Sequence, residues 1–156
     1  MLPLRKISWP SVWSIFGGAF LALDLATKSL AEKFLTSPLE LWPGVFILQA
    51  SRNPGVAFGI PIPNLIMIFA TPALLAGIIF FVVKSCNMAS SYTQAVLALI
   101  LAGGLGNWVS RLLHNGVTDF LSFSFWPSFN FADLYLTIAA FLFILFYGRI
   151  TGKTGA

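Results

Sequence analysis

The chain has 156 residues, 58% of them hydrophobic and 9% charged, with nine Lys and Arg against five Asp and Glu for a formal charge of +4. A soluble domain of this length carries roughly 39 charged side chains, about a quarter of its residues, so the composition excludes an ordinary water-soluble globule, and its hydrophobicity excludes disorder. The basic residues are dispersed with no stripe to follow a phosphate backbone, which argues against nucleic acid, and one cysteine (Cys86) with one histidine (His114) supplies neither an intrachain disulfide nor a zinc ligand set.

Charge-free runs set the organisation, because a membrane-spanning helix needs about 20 predominantly apolar residues. No charge occurs from Asn53 to Val83 or from Ser85 to Ser110. The expected spans are about 11–31, 64–83, 93–113 and 129–148. The first has a basic start, Arg5 and Lys6, like a signal peptide. No small-x-small cleavage site follows it, and the run ends in Asp24 and Lys28, so a retained anchor fits better. Pro72, inside the second span, is tolerated where neighbouring helices satisfy the freed carbonyl. One domain over 1–156 is expected, an all-α membrane protein of four transmembrane helices.

Four spans place both termini on one side. Arg5, Lys6, Lys84, Arg149 and Lys153 fall on that side, and Lys28, Lys33, Arg52 and Arg111 on the other with all five acids. The Lys and Arg count favours both termini inside by a narrow margin. The connection of about 32–63 contains Pro38, Pro43, Pro54, Pro61 and Pro63. Alternation at Leu41, Val45 and Ile47, beside Trp42 and Phe46, predicts short strands lying at the outer membrane surface. A loop this long is functional or disordered more often than it is a plain turn.

This topology gathers Asp24, Lys28, Arg52, Asn53, Asn107, Arg111, Asp119, Asn130 and Asp133 at one face. Ionisable residues in spans are costly and are functional candidates by default. Asp24, Lys28 and Glu32 recur every four residues along one helix edge, in the order that favours an ion pair, and a solvated helix end reads the same way. Gly103 and Gly104 allow close helix approach, and Asn107 with Arg111 fits either packing or a site. Asp119 and Asp133 are separated by 13 uncharged residues including Pro127, so they do not share one helix and face each other across a hairpin mouth. Two carboxyls sharing one proton would supply a general base for water and a general acid for a leaving amine; structural ion pairs to Arg111 or Lys28 are the alternative. His114 reads as a solvated residue, and Trp42, Phe123, Phe125 and Trp126 as interfacial anchors. His-Glu-x-x-His and Gly-x-Ser-x-Gly are absent.

Five segments together resemble the lipoprotein signal peptidase (signal peptidase II) family: Asp24-Leu-Ala-Thr-Lys28, Arg52-Asn-Pro-Gly-Val-Ala-Phe58, Gly103-Gly-Leu-Gly-Asn107 with Arg111, Val117-Thr-Asp-Phe120 and Phe129-Asn-Phe-Ala-Asp133. They run in order over about 110 residues. The resemblance implies an aspartic endopeptidase of the bacterial cytoplasmic (inner) membrane, with both termini cytoplasmic and the active site toward the outer face. It would remove the signal peptide from diacylglyceryl-modified prolipoproteins, cutting N-terminal to the lipidated cysteine. Asp119 and Asp133 match the catalytic dyad. Asp24, Lys28, Asn53, Gly55, Asn107, Arg111 and Asn130 match binding or supporting positions, and residues of about 35–61 match a surface cradle for lipid and peptide. The expected partners are a lipidated prolipoprotein and membrane lipid, with no cofactor, no metal, no nucleic acid, and a monomeric chain. Two positions depart from the family pattern: Ser110 stands where an Asp usually precedes the arginine, and Ala139 where a glycine usually follows the second aspartate by six residues. Ser110 points about 100° from Arg111 on a helix and would tether the helix to the adjoining loop. The rival readings are a small four-span carrier and a non-cleaving relative that binds lipoprotein precursors.

Overall fold

The structure, a computed structural model, describes residues 9–55 and 62–152. Pro61, residues 56–58 of the second matched segment, Arg5, Lys6 and Lys153 lie outside the described residues. The chain runs α1 (Trp9–Phe34), β1 (Leu39–Trp42), β2 (Phe46–Asn53), α2 (Asn64–Ser85), α3 (Ser91–His114), β3 (Val117–Phe123), β4 (Trp126–Phe129), α4 (Phe131–Leu145) and α5 (Tyr147–Thr151).

Within α1, α2 and α3, Val12–Phe34, Asn64–Ser85 and Ser91–His114 are long and apolar enough to cross a membrane. All three helices run slightly beyond the predicted spans. Pro72 lies inside α2 as expected, where its missing N–H leaves one carbonyl without a helical partner. The fourth helix differs from its expected 129–148. Its 15 residues rise about 22 Å against roughly 30 Å of hydrocarbon. Phe129 closes a strand and Asn130 caps the helix, so the start moves to Phe131. After Phe146 the chain turns into α5 and buries Ile150, whose carbonyl accepts from the Asn87 N–H at 2.7 Å and the Thr93 hydroxyl at 3.3 Å.

Helix α3 is the hub, packing against α1, α2 and α4. Its first half forms the apolar core: Val96, Leu99 and Ala102 meet Tyr135, Ala139 and Ile150. Its second half replaces side chains with close backbone approach. A Cβ at Gly103 would lie 2.6 Å from the Ala132 carbonyl, and one at Gly104 would lie 2.7 Å from the Leu75 side chain, so both glycines set interhelical distance.

The expected strands after α1 are present, and they belong to a larger sheet than the sequence predicts. Four antiparallel strands lie in the order β1-β2-β3-β4, with β2 and β3 in contact across the α2–α3 hairpin. The β2–β3 register pairs Ser51 with Asp119, Arg52 with Thr118 and Asn53 with Val117. Successive side chains alternate faces, so Asn53 and Asp119 share one face and Arg52 and Thr118 the other. Trp42, Phe125 and Trp126 have more than half of their surface exposed, whereas Phe123 is half-buried and stacks on Phe46.

Candidate active site

Helix α3 ends on Asn115, whose left-handed backbone (φ 53°) caps the helix with its N–H on the Arg111 carbonyl at 3.1 Å. The chain then reverses into β3 and carries Asp119 back over the end of the bundle. The β3–β4 hairpin returns it to Asn130, which starts α4 with a capping box. The Asn130 side chain accepts from the Asp133 N–H at 3.1 Å, and the Asp133 carboxylate accepts from the Asn130 N–H at 3.2 Å. Asp133 is therefore held by its position as the third residue of the helix, a consequence of the local sequence Asn-Phe-Ala-Asp.

The dyad and the seven supporting residues implied by the resemblance are joined in one hydrogen-bond network, a closed ring of seven with Lys28 and Asp24 branching from Asn107. Lys28 donates to Asp24 at 2.7 Å and to the Asn107 carbonyl oxygen at 2.8 Å. The Asn107 amide donates to Asp133 at 2.8 Å. The Asn130 amide, accepting from Asp133 as above, donates to Asp119 at 2.6 Å. Asn53 donates to the other oxygen of Asp119 at 3.0 Å and accepts from the Gly55 N–H at 3.0 Å. Arg111 donates to the Gly55 carbonyl at 3.0 Å and to the Asn107 carbonyl at 3.5 Å, which closes the ring. Asp24 also accepts from the Ala132 N–H at 2.9 Å and faces Gly106, where a Cβ would collide with its carboxylate.

These contacts correct two readings. Asp24 and Lys28 do not form a solvated helix end, because both are buried and a buried ion pair is sustained only when further hydrogen bonds satisfy it. His114 is exposed but not alone, its Nδ1 lying 2.9 Å from Glu32. The expectation that Asp119 and Asp133 lie on separate elements matches the structure, with β4 between them and Asn130 bridging them.

The two carboxyls occupy unlike surroundings. Asp119 is 3% exposed, whereas Asp133 is half-buried and open to the mouth. Burial, aided by the nearby Asp133 charge, pushes the Asp119 carboxyl up to about 6, against the opposing hydrogen bonds from Asn53 and Asn130 and the Lys28 charge. The network holds three carboxyls, Asp24, Asp119 and Asp133, against two cations, Lys28 and Arg111, so a single retained proton brings it to neutrality. Arg111 Nε is buried with no hydrogen-bond partner among the described residues. Among the described residues, no group of three His, Cys, Asp or Glu side chains is placed to hold a metal ion.

Several site contacts have no counterpart in the sequence reading. The Asn64 amide donates to the Arg111 carbonyl at 3.2 Å, and the Ser51 hydroxyl to the Asp119 carbonyl at 3.3 Å. Ser110, by contrast, makes the tether expected of it: it donates to the Gly116 carbonyl at 3.2 Å and accepts from the Thr118 N–H at 3.1 Å, tying α3 to the strand that bears Asp119. A separate apolar cavity of about 390 Å³ between α1 and α3, lined by Trp13, Gly17, Gly18, Leu97, Leu101 and Leu105 among others, includes none of the ring residues.

A family model described as Signal peptidase (SPase) II matches residues 16–148. The lipoprotein signal peptidase of Chlorobium luteolum is 36% identical over 150 residues, covering 86% of this chain and 89% of the relative. That of Sulfurihydrogenibium sp. is 39% identical over 135 residues, covering 80% and 83%. Two solved structures, each described as a bacterial membrane enzyme determined by the in meso method, superpose with TM-scores of 0.77 and 0.74 at 25% and 26% identity. The first covers 97% of this chain and 96% of its own, the second 90% and 93%. Matched from α1 to the end of α4 by that family model, the chain belongs to the signal peptidase II family.

Proposed function

We propose that the protein is an aspartic endopeptidase that cleaves the signal peptide from diacylglyceryl-modified prolipoproteins, N-terminal to the lipidated cysteine. Asp119 and Asp133 form its dyad. The observation that carries this reading is the Asn130 bridge, its side-chain amide on the Asp119 carboxyl and its backbone N–H on the Asp133 carboxyl, two groups of unequal burial. Asp133, open to the mouth, takes a proton from water as the water oxygen attacks the scissile carbonyl carbon. Asp119, whose carboxyl burial pushes upward, holds the shared proton and delivers it as the C–N bond breaks, so the new amine leaves neutral. The charge count of the network supports one proton on the pair. Two carboxyls and a water suffice, so the proposed reaction needs no cofactor and no metal.

Lys28, Asp24 and Asn107 hold Asp133 from the bundle side, while Asn53, Gly55 and Arg111 hold the sheet side. In the proposed membrane arrangement α1–α3 span, α4 continued by α5 makes the fourth crossing, both termini face the cytoplasm and the sheet lies at the outer surface as a cradle. A signal helix then presents its outer end to the mouth. Acyl chains beside the apolar faces contribute about 0.8 kcal/mol per buried methylene to binding. A monomer is sufficient, since the ring closes within one chain. A carrier reading finds less support, because ion relays run carboxyls through the bundle interior. Here Asp24 is closed off by Lys28 and Ala132, and the other two sit at one end.

The test is incubation of the purified protein in detergent with a synthetic lipobox peptide, with and without the diacylglyceryl group. Cleavage of the lipidated peptide alone, with product masses placing the cut before the modified cysteine, is expected. No cleavage of either would refute the reading. Cysteines placed at Ser37 and Asn115 in a Cys86-free background test the orientation, and both should react with an impermeant thiol reagent added from outside.

A further inference from the structure

Of the stripe Asp24, Lys28 and Glu32, the first two join the dyad's hydrogen-bond network through Asn107 and Glu32 does not. It lies one helical turn further out, where a single carboxylate oxygen receives three donors from three elements. Arg52 Nη1 of β2 approaches at 3.0 Å and His114 Nδ1 of α3 at 2.9 Å, and the Thr118 hydroxyl of β3 makes a short hydrogen bond. Thr118 is 2% exposed and is the residue before Asp119.

The donor count gives the arrangement a direction. The Thr118 hydroxyl has one proton and two lone pairs. It accepts from Arg52 Nη1 at 2.7 Å, so its proton goes to Glu32. Its backbone N–H is meanwhile held by the Ser110 hydroxyl. Thr118 is thus gripped from α1, β2 and α3 on the sheet face opposite Asp119, and charge-assisted bonds of this kind are the stronger ones.

We infer that Glu32 is a positioning residue for the dyad: through Thr118 it fixes the strand that carries Asp119, from the face opposite the reacting carboxyls. The inference rests on the cleavage reading above. Without the carboxylate, His114 loses its acceptor, Arg52 keeps only Thr118, and Thr118 keeps Arg52 and Ser110 but loses its tie to α1. Strand β3, still paired with β2, then loses its Thr118 anchor on α1, and Asp119 can shift with the sheet relative to the helix that carries Asp133. Misplacement of a reacting group by about 1 Å can cost about a hundredfold in rate, so the loss belongs in kcat and not in KM.

Glu32→Ala should lower kcat on the lipidated peptide at least about tenfold with KM changed less than about twofold, at equal folded fraction in detergent. Adding Ser110→Asp to that variant supplies a carboxylate to the same Thr118 groups from α3, and should restore kcat to within about threefold of wild type. If Glu32→Ala does not fold, Glu32→Gln, which keeps shape and loses charge, takes its place with the same expectations. A kcat near wild type, a loss that tracks only the folded fraction, or no rescue by Ser110→Asp would overturn the role. A wild-type protein that does not cleave would instead overturn the function on which it rests.

Discussion

The two halves of α3 hold the molecule together in opposite ways. From Ser91 to Ala102 the helix buries aliphatic side chains against Tyr135, Ala139 and Ile150. From Gly103 to Arg111 it offers glycines that admit close neighbours and polar groups, Asn107 bonded to α1 and α4, Ser110 to β3 and Arg111 to Gly55 beyond β2. Apolar packing relaxes around a small change, so its losses are graded. A closed polar circuit does not, because removing one member leaves a buried charge or donor unpaired. The protein is built to be forgiving at one end and intolerant at the other, and the intolerant end carries the chemistry.

The contrast is sharpest at Lys28. Replacing it by Met removes the partner of a fully buried Asp24 and the donor to Asn107. Breaking a buried pair from one side costs about 3–5 kcal/mol. The expected outcome is a large fall in the detergent unfolding midpoint, partly recovered when Asp24→Asn is added.

A change of pH acts on the same end without mutation. The folded state holds the Asp119 carboxyl near 6, against 3.8 for an ordinary aspartate, so between these values the folded protein binds the proton that the unfolded chain has lost. Stability contributed by this group is therefore fully present below about pH 4 and falls as pH rises through about 6. The loss is on the order of 3 kcal/mol. Unfolding followed from pH 4 to 7 should show wild type losing stability relative to Asp119→Asn, and parallel curves would remove the claim that burial strains this carboxyl.

Asn130→Ala removes the amide that holds the Asp119 carboxyl and the side-chain cap of α4, leaving the backbone N–H on Asp133. Turnover should fall about a hundredfold through misplacement, and stability by about 1 kcal/mol through the lost cap. Steady-state kinetics beside a thermal melt separates the two.

At the forgiving end, Ala139→Gly restores the residue usual in the family and removes a methyl from the apolar core. It should cost about 1 kcal/mol, mostly as helix propensity, and leave the turnover of folded protein unchanged. A change in kcat there would mean that the halves are not independent.

The span positions and the convergence of polar groups were legible because charge-free runs and four-residue spacing are local signals. The circuit's membership followed from the matched segments, but its closure did not, since each bond joins elements distant in the chain. Lys28 reaches Asn107 across 79 positions and Glu32 reaches His114 across 82, which is why His114 read as a solitary residue. Strand β3 escaped for a different reason. Val117, Thr118, Asp119 and Phe120 are all buried, so the polar–apolar alternation that marks a half-exposed strand is missing. The length of α4 was overestimated because hydropathy sees Phe129 and Phe146 as continuous with the helix, whereas Asn130 and the Phe146 turn end it.

The central claim is that Asp119 and Asp133 act as one unit, and single-turnover cleavage of the lipidated peptide by Asp119→Asn, Asp133→Asn and the double variant tests it most directly. Each single change should lower the rate by orders of magnitude, and the double should be little worse than either, because groups that act together are not additive. A single variant that keeps more than about a tenth of the wild-type rate, equivalent to a barrier change below about 1.4 kcal/mol, would contradict the account.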